Sequence, residues 1–284
     1  MAASTRATRA LGAFLRELRI ASGLSAIQVG ECLDQSHSTV SRYERGDLRV
    51  IWATITTLVK LYGGGKAELA EARRRYEATK NEPKPVRLAR DTHPAFRRLV
   101  NEERVAAGIR LVEPSVMPGL AQIEPYTLAL GDQLHDPGSR SMAASTIRLG
   151  RQQRLDRSEP RPLKLHAVID EIVVTRLVGG PAVQRQQLLH ILDLMGQQNV
   201  TIQVVKAAAG AYGVTSGGLH IIDYEEATEP SAAYFEYPAG AAFVEDEHDV
   251  QRFTEKFDRA VRAASSTDET AEFLHQQVRA LEQR

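Results

Sequence analysis

The chain has 284 residues, of which 43% are hydrophobic and 25% are charged, with a formal net charge of zero. This composition is typical of a folded globular protein, it leaves room for two domains, and it excludes a disordered chain. No apolar run approaches the roughly 18 residues that span a bilayer, and the first residues lack a signal-peptide pattern. The single cysteine excludes an internal disulfide. We therefore expect a cytoplasmic protein without membrane contact.

The zero net charge conceals an asymmetry along the chain. Residues 1–80 carry 13 Lys/Arg against 8 Asp/Glu, and the remainder carries 23 against 28. A basic N-terminal part can neutralise phosphates even when the whole chain is neutral. Between residues 207 and 251 there is no Lys or Arg but there are nine acidic residues. We interpret this stretch as a solvated surface, with steering of a basic partner as the alternative.

Residues 1–80 are predicted to form an all-α domain of about five helices. Leucines at spacings of three and four predict the first helix, and serines with N-cap character begin the second and third. The predicted helices cover 8–21, the segment after Ser25, the segment after Ser36, 51–62 and 66–80. Two prolines among polar residues then indicate a linker over 81–90.

Residues 91–284 are predicted to form a larger mixed α/β (α+β) domain, because helical and strand patterns alternate irregularly. The predicted helices are 94–108, 125–130, 141–157, 183–195, 249–264 and 267–281. The predicted strands are 163–169, 200–205, 217–224 and 232–237. A turn-rich segment at 113–120 separates the first two helices.

The second and third predicted helices have the layout of a helix-turn-helix. Asp34 stands where the turn needs a positive φ, which Asp tolerates better than most residues. Gly30 removes a side chain where the two helices approach. Val40 and Tyr43 would face the core, so that the opposite face of the third helix is free to contact base edges. The residues on that opposite face are His37, Ser38, Ser41 and Arg42.

On these residues, and on the runs at 38–42 and 44–46, segment 11–62 resembles the XRE-type helix-turn-helix of phage repressors. The resemblance implies an ion pair between Arg19 and Glu44 that holds the recognition helix. It implies base contacts by His37, Ser38 and Arg42, and positions nearer phosphates for Thr39, Ser41 and Arg45. The complete set of predicted contacts to double-stranded DNA is Gln35, Ser36, His37, Ser38, Thr39, Ser41, Arg42 and Arg45.

The chain departs from that family at three positions. Ala26 stands where a glutamine usually contacts phosphate, and Gln28 comes half a turn later. Asp34 replaces the glycine of the turn, and Gln35 replaces the aliphatic residue after it. We therefore expect weaker binding to an operator than for a phage repressor.

Residues 95–280 resemble a domain of unknown function that follows this kind of DNA-binding domain in antitoxin-like bacterial regulators. The matching segments are 117–126, 148–152, 169–171, 176–180, 186–188, 199–204 and 234–236. This resemblance implies a regulator that binds a small partner protein encoded beside it, and it does not imply a known enzymatic activity. We therefore assign residues 91–284 to effector binding, partner binding and dimerisation.

Other chemistry-bearing residues receive structural interpretations. The glycine-rich segment 210–218 is predicted to be a loop between strands, because it lacks the ending of a phosphate-binding loop. Asp170 and Glu171, near Arg176, could be an acid/base pair but more readily form an ion pair. The eight histidines have no metal-ligand spacing, and Cys32 has no basic neighbour that would activate it.

The sequence therefore predicts a sequence-specific, dimeric transcriptional regulator that is controlled through its C-terminal domain by a small protein or ligand. It predicts no catalytic residues, no metal and no cofactor. The alternative is an antitoxin-like protein that mainly binds a small partner protein, with DNA binding as autoregulation.

Overall fold

The computed structural model describes residues 5–81, 93–133, 150–156, 158–159, 161–214, 216–225, 230–237 and 240–283. The chain divides into two compact units, Met1–Pro85 and Val86–Arg284, here called the N-terminal and C-terminal domains. This division falls within the predicted linker, most of which lies outside the described residues. Among the described residues, no helix is long and apolar enough to cross a membrane.

The N-terminal domain contains the five helices that the sequence predicts. They are α1 (Arg6–Ala21), α2 (Ala26–Cys32), α3 (His37–Glu44), α4 (Trp52–Leu61) and α5 (Lys66–Asn81). Local signals explain their bounds: Ser25 and Ser36 accept hydrogen bonds from the backbone N–H groups of Gln28 and Thr39, as N-caps do. The core of this domain is formed by Leu11, Leu15, Val29, Val40, Ile55, Leu58, Val59, Tyr62 and Ala72.

The C-terminal domain is built on a six-stranded mixed sheet, so the predicted α/β class is confirmed. Its strands are β1 (Gly108–Glu113), β2 (Lys164–Asp170), β3 (Val200–Val205), β4 (Leu219–Asp223), β5 (Ala232–Tyr237) and β6 (Gly240–Val244). The spatial order is β3-β2-β1-β4-β5-β6. The first three strands in that order are parallel to one another, and every pairing from β1 to β6 is antiparallel.

Helices cover both faces of this sheet. They are α6 (Pro94–Glu103), α7 (Glu124–Gln133), α8 (Glu171–Thr175), α9 (Gly180–Met195), α10 (Glu247–Ala263) and α11 (Thr267–Glu282). One face buries Leu111 and Ile202 against α6, α7, α9 and α11. The other face buries Val112 and Ile221 against Phe257 of α10.

Two strands were not predicted. The helix predicted over 94–108 ends at Glu103, and Gly108–Glu113 forms β1, the strand that joins the parallel and antiparallel halves of the sheet. The charged residue Arg110 interrupts the apolar pattern of β1. The strand tolerates it because Arg110 pairs with Asp223 of β4 through two hydrogen bonds of 2.8 Å. The small residues of β6 gave no strand signal. The helix predicted over 141–157 lies mostly outside the described residues. Residues 150–152 are α-helical, and a short 3₁₀ turn, Gln153–Leu155, follows them.

Buried polar side chains fix the loop between β1 and α7. Gln187 accepts from the Ile123 N–H at 2.8 Å and donates to the Ala121 carbonyl at 2.7 Å, as a neighbouring strand would. Gln122 donates to the Met117 carbonyl at 2.6 Å. Because these groups are buried, each backbone bond satisfies a group that would otherwise destabilise the core. Much of the motif at 117–126 therefore has a structural role.

Candidate nucleic-acid interface

Helix α3 presents polar side chains to solvent along one side and apolar atoms to the core along the other. Val40 and Glu44 are buried. The predicted DNA contacts lie on the other side: Gln35, Ser36, His37, Ser38 and Arg45 are exposed, and Thr39, Ser41 and Arg42 are partly exposed. The structure thus brings all eight predicted residues onto α3 and its two ends.

The turn before α3 has the backbone that the sequence predicts. Asp34 adopts a φ of 53°, the left-handed conformation. Gln35 then donates its N–H to the Gly30 carbonyl at 2.8 Å, which closes the turn. A Cβ at position 30 would lie 2.6 Å from the Gln35 carbonyl oxygen, so only glycine permits this approach of α2 to α3.

A second close approach, between α1 and α3, involves a residue that sequence reasoning missed. A Cβ at Gly12 would lie 2.5 Å from the Glu44 carbonyl oxygen and 2.6 Å from that of Tyr43. Position 12 therefore has to be glycine for α1 to cross α3 this closely. The available signal was a glycine in the middle of a predicted helix, where it costs stability unless packing requires it.

Arg19 and Glu44 form the ion pair that the resemblance implies, and it connects three parts of the domain. Arg19 Nε and Nη2 donate to the two Glu44 carboxylate oxygens at 2.6 and 2.9 Å, while Nη1 donates to the Leu24 carbonyl at 2.8 Å. The side chains are only 13% and 6% exposed. The hydrogen bond that Arg19 donates to Glu44 raises the pKa of Arg19, and burial together with the Glu44 charge raises the pKa of Tyr62. This bidentate pair fixes α3 against α1.

Cations near α3 differ in their partners. In the described part of the chain, Arg42 has no ion pair, whereas Arg45 Nε lies 2.8 Å from an Asp47 oxygen at the surface. The three consecutive arginines of α5 have partners within the domain: Arg73 pairs with Glu77, and Arg74 and Arg75 pair with Glu71. The hydrogen bond from Arg74, helped by Arg75, holds the pKa of Glu71 at about 2. Among the described residues, the Arg42 guanidinium of α3 is therefore not engaged in an ion pair, which leaves it able to contact a DNA base.

Gln28, which comes half a turn after the position where the related family has a glutamine, has a local partner in Ser25. Its Oε1 accepts from the Ser25 N–H and hydroxyl at 2.9 Å each, while the Ser25 hydroxyl accepts from the Gln28 N–H. This reciprocal arrangement is a capping box. Gln28 thus stabilises the start of α2.

In the C-terminal domain, Asp170 and Glu171 belong to different elements. The strand ends at Asp170, whose carboxylate caps α8 by accepting from the Ile172 N–H at 3.0 Å. Glu171 begins α8 and accepts from the Ala207 N–H at 2.8 Å, with Lys206 Nζ at 3.6 Å. The ion-pair partner of Glu171 is therefore Lys206, not Arg176.

A buried pair at the end of β1 was not predicted. His220 Nε2 lies 3.0 Å from Glu113 Oε1, and both side chains are nearly inaccessible. Among the described residues, no group of three or more His, Cys, Asp or Glu could hold a metal ion. Segment 210–218 connects strands as predicted, and Cys32 is an exposed thiol.

The geometry of α2 and α3 defines a helix-turn-helix protein, and residues 10–72 match the family model described as a helix-turn-helix domain. A domain of this kind indicates a DNA-binding regulator. Residues 96–276 match the model described as a domain of unknown function, DUF5753. The chain belongs to the DUF5753 family, with an XRE-like helix-turn-helix at its N-terminus, so both resemblances are confirmed. No curated protein and no solved structure matches it.

Proposed function

We propose that the protein is a sequence-specific transcriptional regulator of the cytoplasm, which reads the major groove with α3. The observation that carries the proposal is the polar, exposed side of α3, held to α1 by the buried Arg19–Glu44 pair. A recognition helix has to present side chains to base edges in a fixed orientation, and this pair supplies a rigid support for it.

The chemistry of the exposed side chains suits the edges of base pairs. The Arg42 guanidinium can bind the O6 and N7 atoms of a guanine, a contact that is worth about 1–3 kcal/mol of discrimination. His37 and Ser38, in the first turn of α3, are proposed as the other base contacts. Thr39, Ser41 and Arg45 are proposed to contact phosphates, where Arg45 exchanges its exposed partner Asp47 for an anion.

A homodimer is part of this proposal. One recognition helix contacts few base pairs, and two-fold dimers on half-sites one helical turn apart are the usual solution. We further propose that the C-terminal domain supplies most of the dimer contact, binds a small protein or ligand that controls the regulator, and is not an enzyme. Light scattering of the full chain at micromolar concentration tests the dimer, and a monomer would contradict it.

Genome-wide binding of the purified protein, compared with its Arg42→Ala variant, tests the recognition face. We expect the variant to lose preference for its sites by at least about fivefold, because the bidentate contact to guanine disappears. Lys60→Ala is the matched control, since Lys60 is an exposed cation on α4. An unchanged sequence preference in Arg42→Ala would show that α3 does not read bases in the way proposed.

A further inference from the structure

The two edges of the six-stranded sheet are covered differently. On the β3 edge, Val204 donates its N–H to Thr270 Oγ1 at 3.1 Å and accepts from the Ser265 N–H at 2.9 Å. The junction between α10 and α11 therefore occupies that edge. Covering an edge in this way prevents its free backbone groups from pairing with another strand.

The β6 edge has no such cover within the described residues. β5 pairs with β6 from Tyr237↔Gly240 to Ala233↔Val244, and no described residue hydrogen-bonds to the outer side of β6. Its sequence, Gly-Ala-Ala-Phe-Val, contains neither a charged residue nor a proline, which are the usual means of blocking an edge. Within the part of the chain that the structure describes, the outer backbone groups of β6 are therefore open to another strand.

The residues beside this edge are apolar on one face of the sheet, where α10 already covers part of β5 because Phe253 packs against Phe235 at a ring-centroid distance of 5.4 Å. Phe235 and Ala242 are paired in register, as are Ala233 and Val244, so their side chains share that face. Tyr237, which is 45% exposed, follows Phe235 at a ring-centroid distance of 6.0 Å. An extended segment added to β6 would place alternate side chains beside these residues.

The charge around β6 determines which occupant fits. The acidic residues Glu245, Asp246 and Glu247 follow the strand directly, and no Lys or Arg occurs from residue 207 to residue 251. Arg98 of α6 pairs with one of the three, Glu245. A second copy of the chain on the same edge would bring two acidic regions to one interface, which is repulsive. A basic segment would instead be attracted.

We propose that the outer edge of β6 binds an extended, basic segment of a partner protein. The segment adds a seventh strand to the sheet, places apolar side chains beside Ala242 and Val244, and directs Lys or Arg side chains toward Asp246 and Glu247. This inference deepens the proposed control of the regulator by a small protein, and it rests on that proposal.

Fluorescence anisotropy with the full-length protein tests the chemistry of the segment. The probes are three labelled eight-residue peptides: alternating Lys and Val, the same peptide N-methylated at every second residue, and alternating Glu and Val. We expect the first to bind at least about tenfold more tightly than either other, because N-methylation removes ladder hydrogen bonds and Glu reverses the charge. Hydrogen exchange of the Gly240–Val244 amides should slow only with the first peptide. Equal binding of the N-methylated peptide, or no binding of any, would overturn the proposal.

Two lysine substitutions locate the site. Ala242→Lys charges the open edge and should weaken binding of the basic peptide at least about tenfold. Thr201→Lys, on the covered β3 edge, should leave binding unchanged. If instead Ala242→Lys converts a dimer into a monomer by light scattering, the edge is an interface between copies and the proposal is wrong. Operator binding, measured in the same samples, reports separately on DNA recognition. If Ala242→Lys does not fold, the comparison with the N-methylated peptide decides whether the segment binds as an added strand.

Discussion

At the scale of single residues, the N-terminal domain keeps a helix-turn-helix geometry with an unusual turn residue. Asp34 is, among the described residues, the one non-glycine residue with a positive φ. The left-handed conformation costs an L-residue roughly 1–2 kcal/mol, and aspartate tolerates it better than most. The backbone is therefore mildly strained at Asp34, in the turn between α2 and α3.

Substitution of Asp34 should show that strain directly. We expect Asp34→Gly to raise the free energy of unfolding and Asp34→Ala to lower it, with a difference of about 1 kcal/mol between the two variants. Urea denaturation of the full chain, followed by far-UV circular dichroism, gives both values. Identical stabilities of the two variants would mean that the left-handed φ at position 34 does not lower the free energy of unfolding.

His220 should make the stability of the C-terminal domain depend on pH. Burial disfavours its charge, but the hydrogen bond to Glu113 and the charges of Glu113, Glu103 and Glu236 outweigh burial and raise the pKa of His220. A raised pKa in the folded state means that the stabilisation is complete below the unfolded pKa of about 6.5 and is lost as pH rises through the folded value. Denaturation midpoints should therefore fall above neutral pH in the wild type. A His220→Asn variant that retains the same pH slope would assign the slope to other groups.

At the scale of elements, two glycines set how closely helices approach α3. Gly12 admits α1, and Gly30 admits α2, each to within contact of a backbone carbonyl. A backbone carbonyl cannot move aside as a flexible side chain can. These two positions, with Arg19 and Glu44, hold α3 at a defined angle on its scaffold.

Gly30→Ala should disrupt this arrangement. The added methyl would meet the Gln35 carbonyl at 2.6 Å, so we expect the loss of at least about 2 kcal/mol of stability together with operator binding. Gly65→Ala is the matched control, because there the nearest atom is a Glu68 carboxylate oxygen at 3.4 Å. Thermal unfolding and an electrophoretic mobility shift provide the two readouts. Wild-type DNA binding by Gly30→Ala would contradict the structural role.

The elements also show what the sequence could reveal. Helices α1–α5 were predictable because their signals are local: capping serines and apolar spacing within a few residues. β1 was not, since its partners begin at Lys164 and Leu219, far along the chain, and Arg110 interrupts its apolar pattern. The exposed polar side of α3 was predictable from the period of the helix, whereas the Glu113–His220 pair joins two strands that no local pattern connects.

At the scale of the whole molecule, each domain has its own hydrophobic core and its own buried Arg–Glu pair. Arg19–Glu44 lies in the N-terminal domain, and Arg151–Glu103, with side chains 6% and 1% exposed, lies in the C-terminal domain. Removal of one partner from such a pair leaves an uncompensated buried charge. The two pairs therefore offer independent probes of the two domains.

Calorimetry of the full chain should resolve two transitions. Glu44→Ala should lower one of them, with a loss of about 3 kcal/mol in that domain, and Arg151→Ala should lower the other. The double variant Arg19→Met/Glu44→Met should recover most of the first loss, because an apolar pair leaves no buried charge. A single transition that both single variants shift equally would show that the domains unfold together.

The position of β1 in the sheet also bears on how the protein forms during synthesis. A ribosome that has released residue 81 has delivered every helix of the N-terminal domain, so that domain can fold while the rest is still being made. β1 follows soon afterwards, yet one neighbour, β2, starts at Lys164 and the other, β4, starts at Leu219. Contacts between such distant segments form slowly. The nascent chain is therefore expected to display a finished helix-turn-helix domain well before the C-terminal domain can fold.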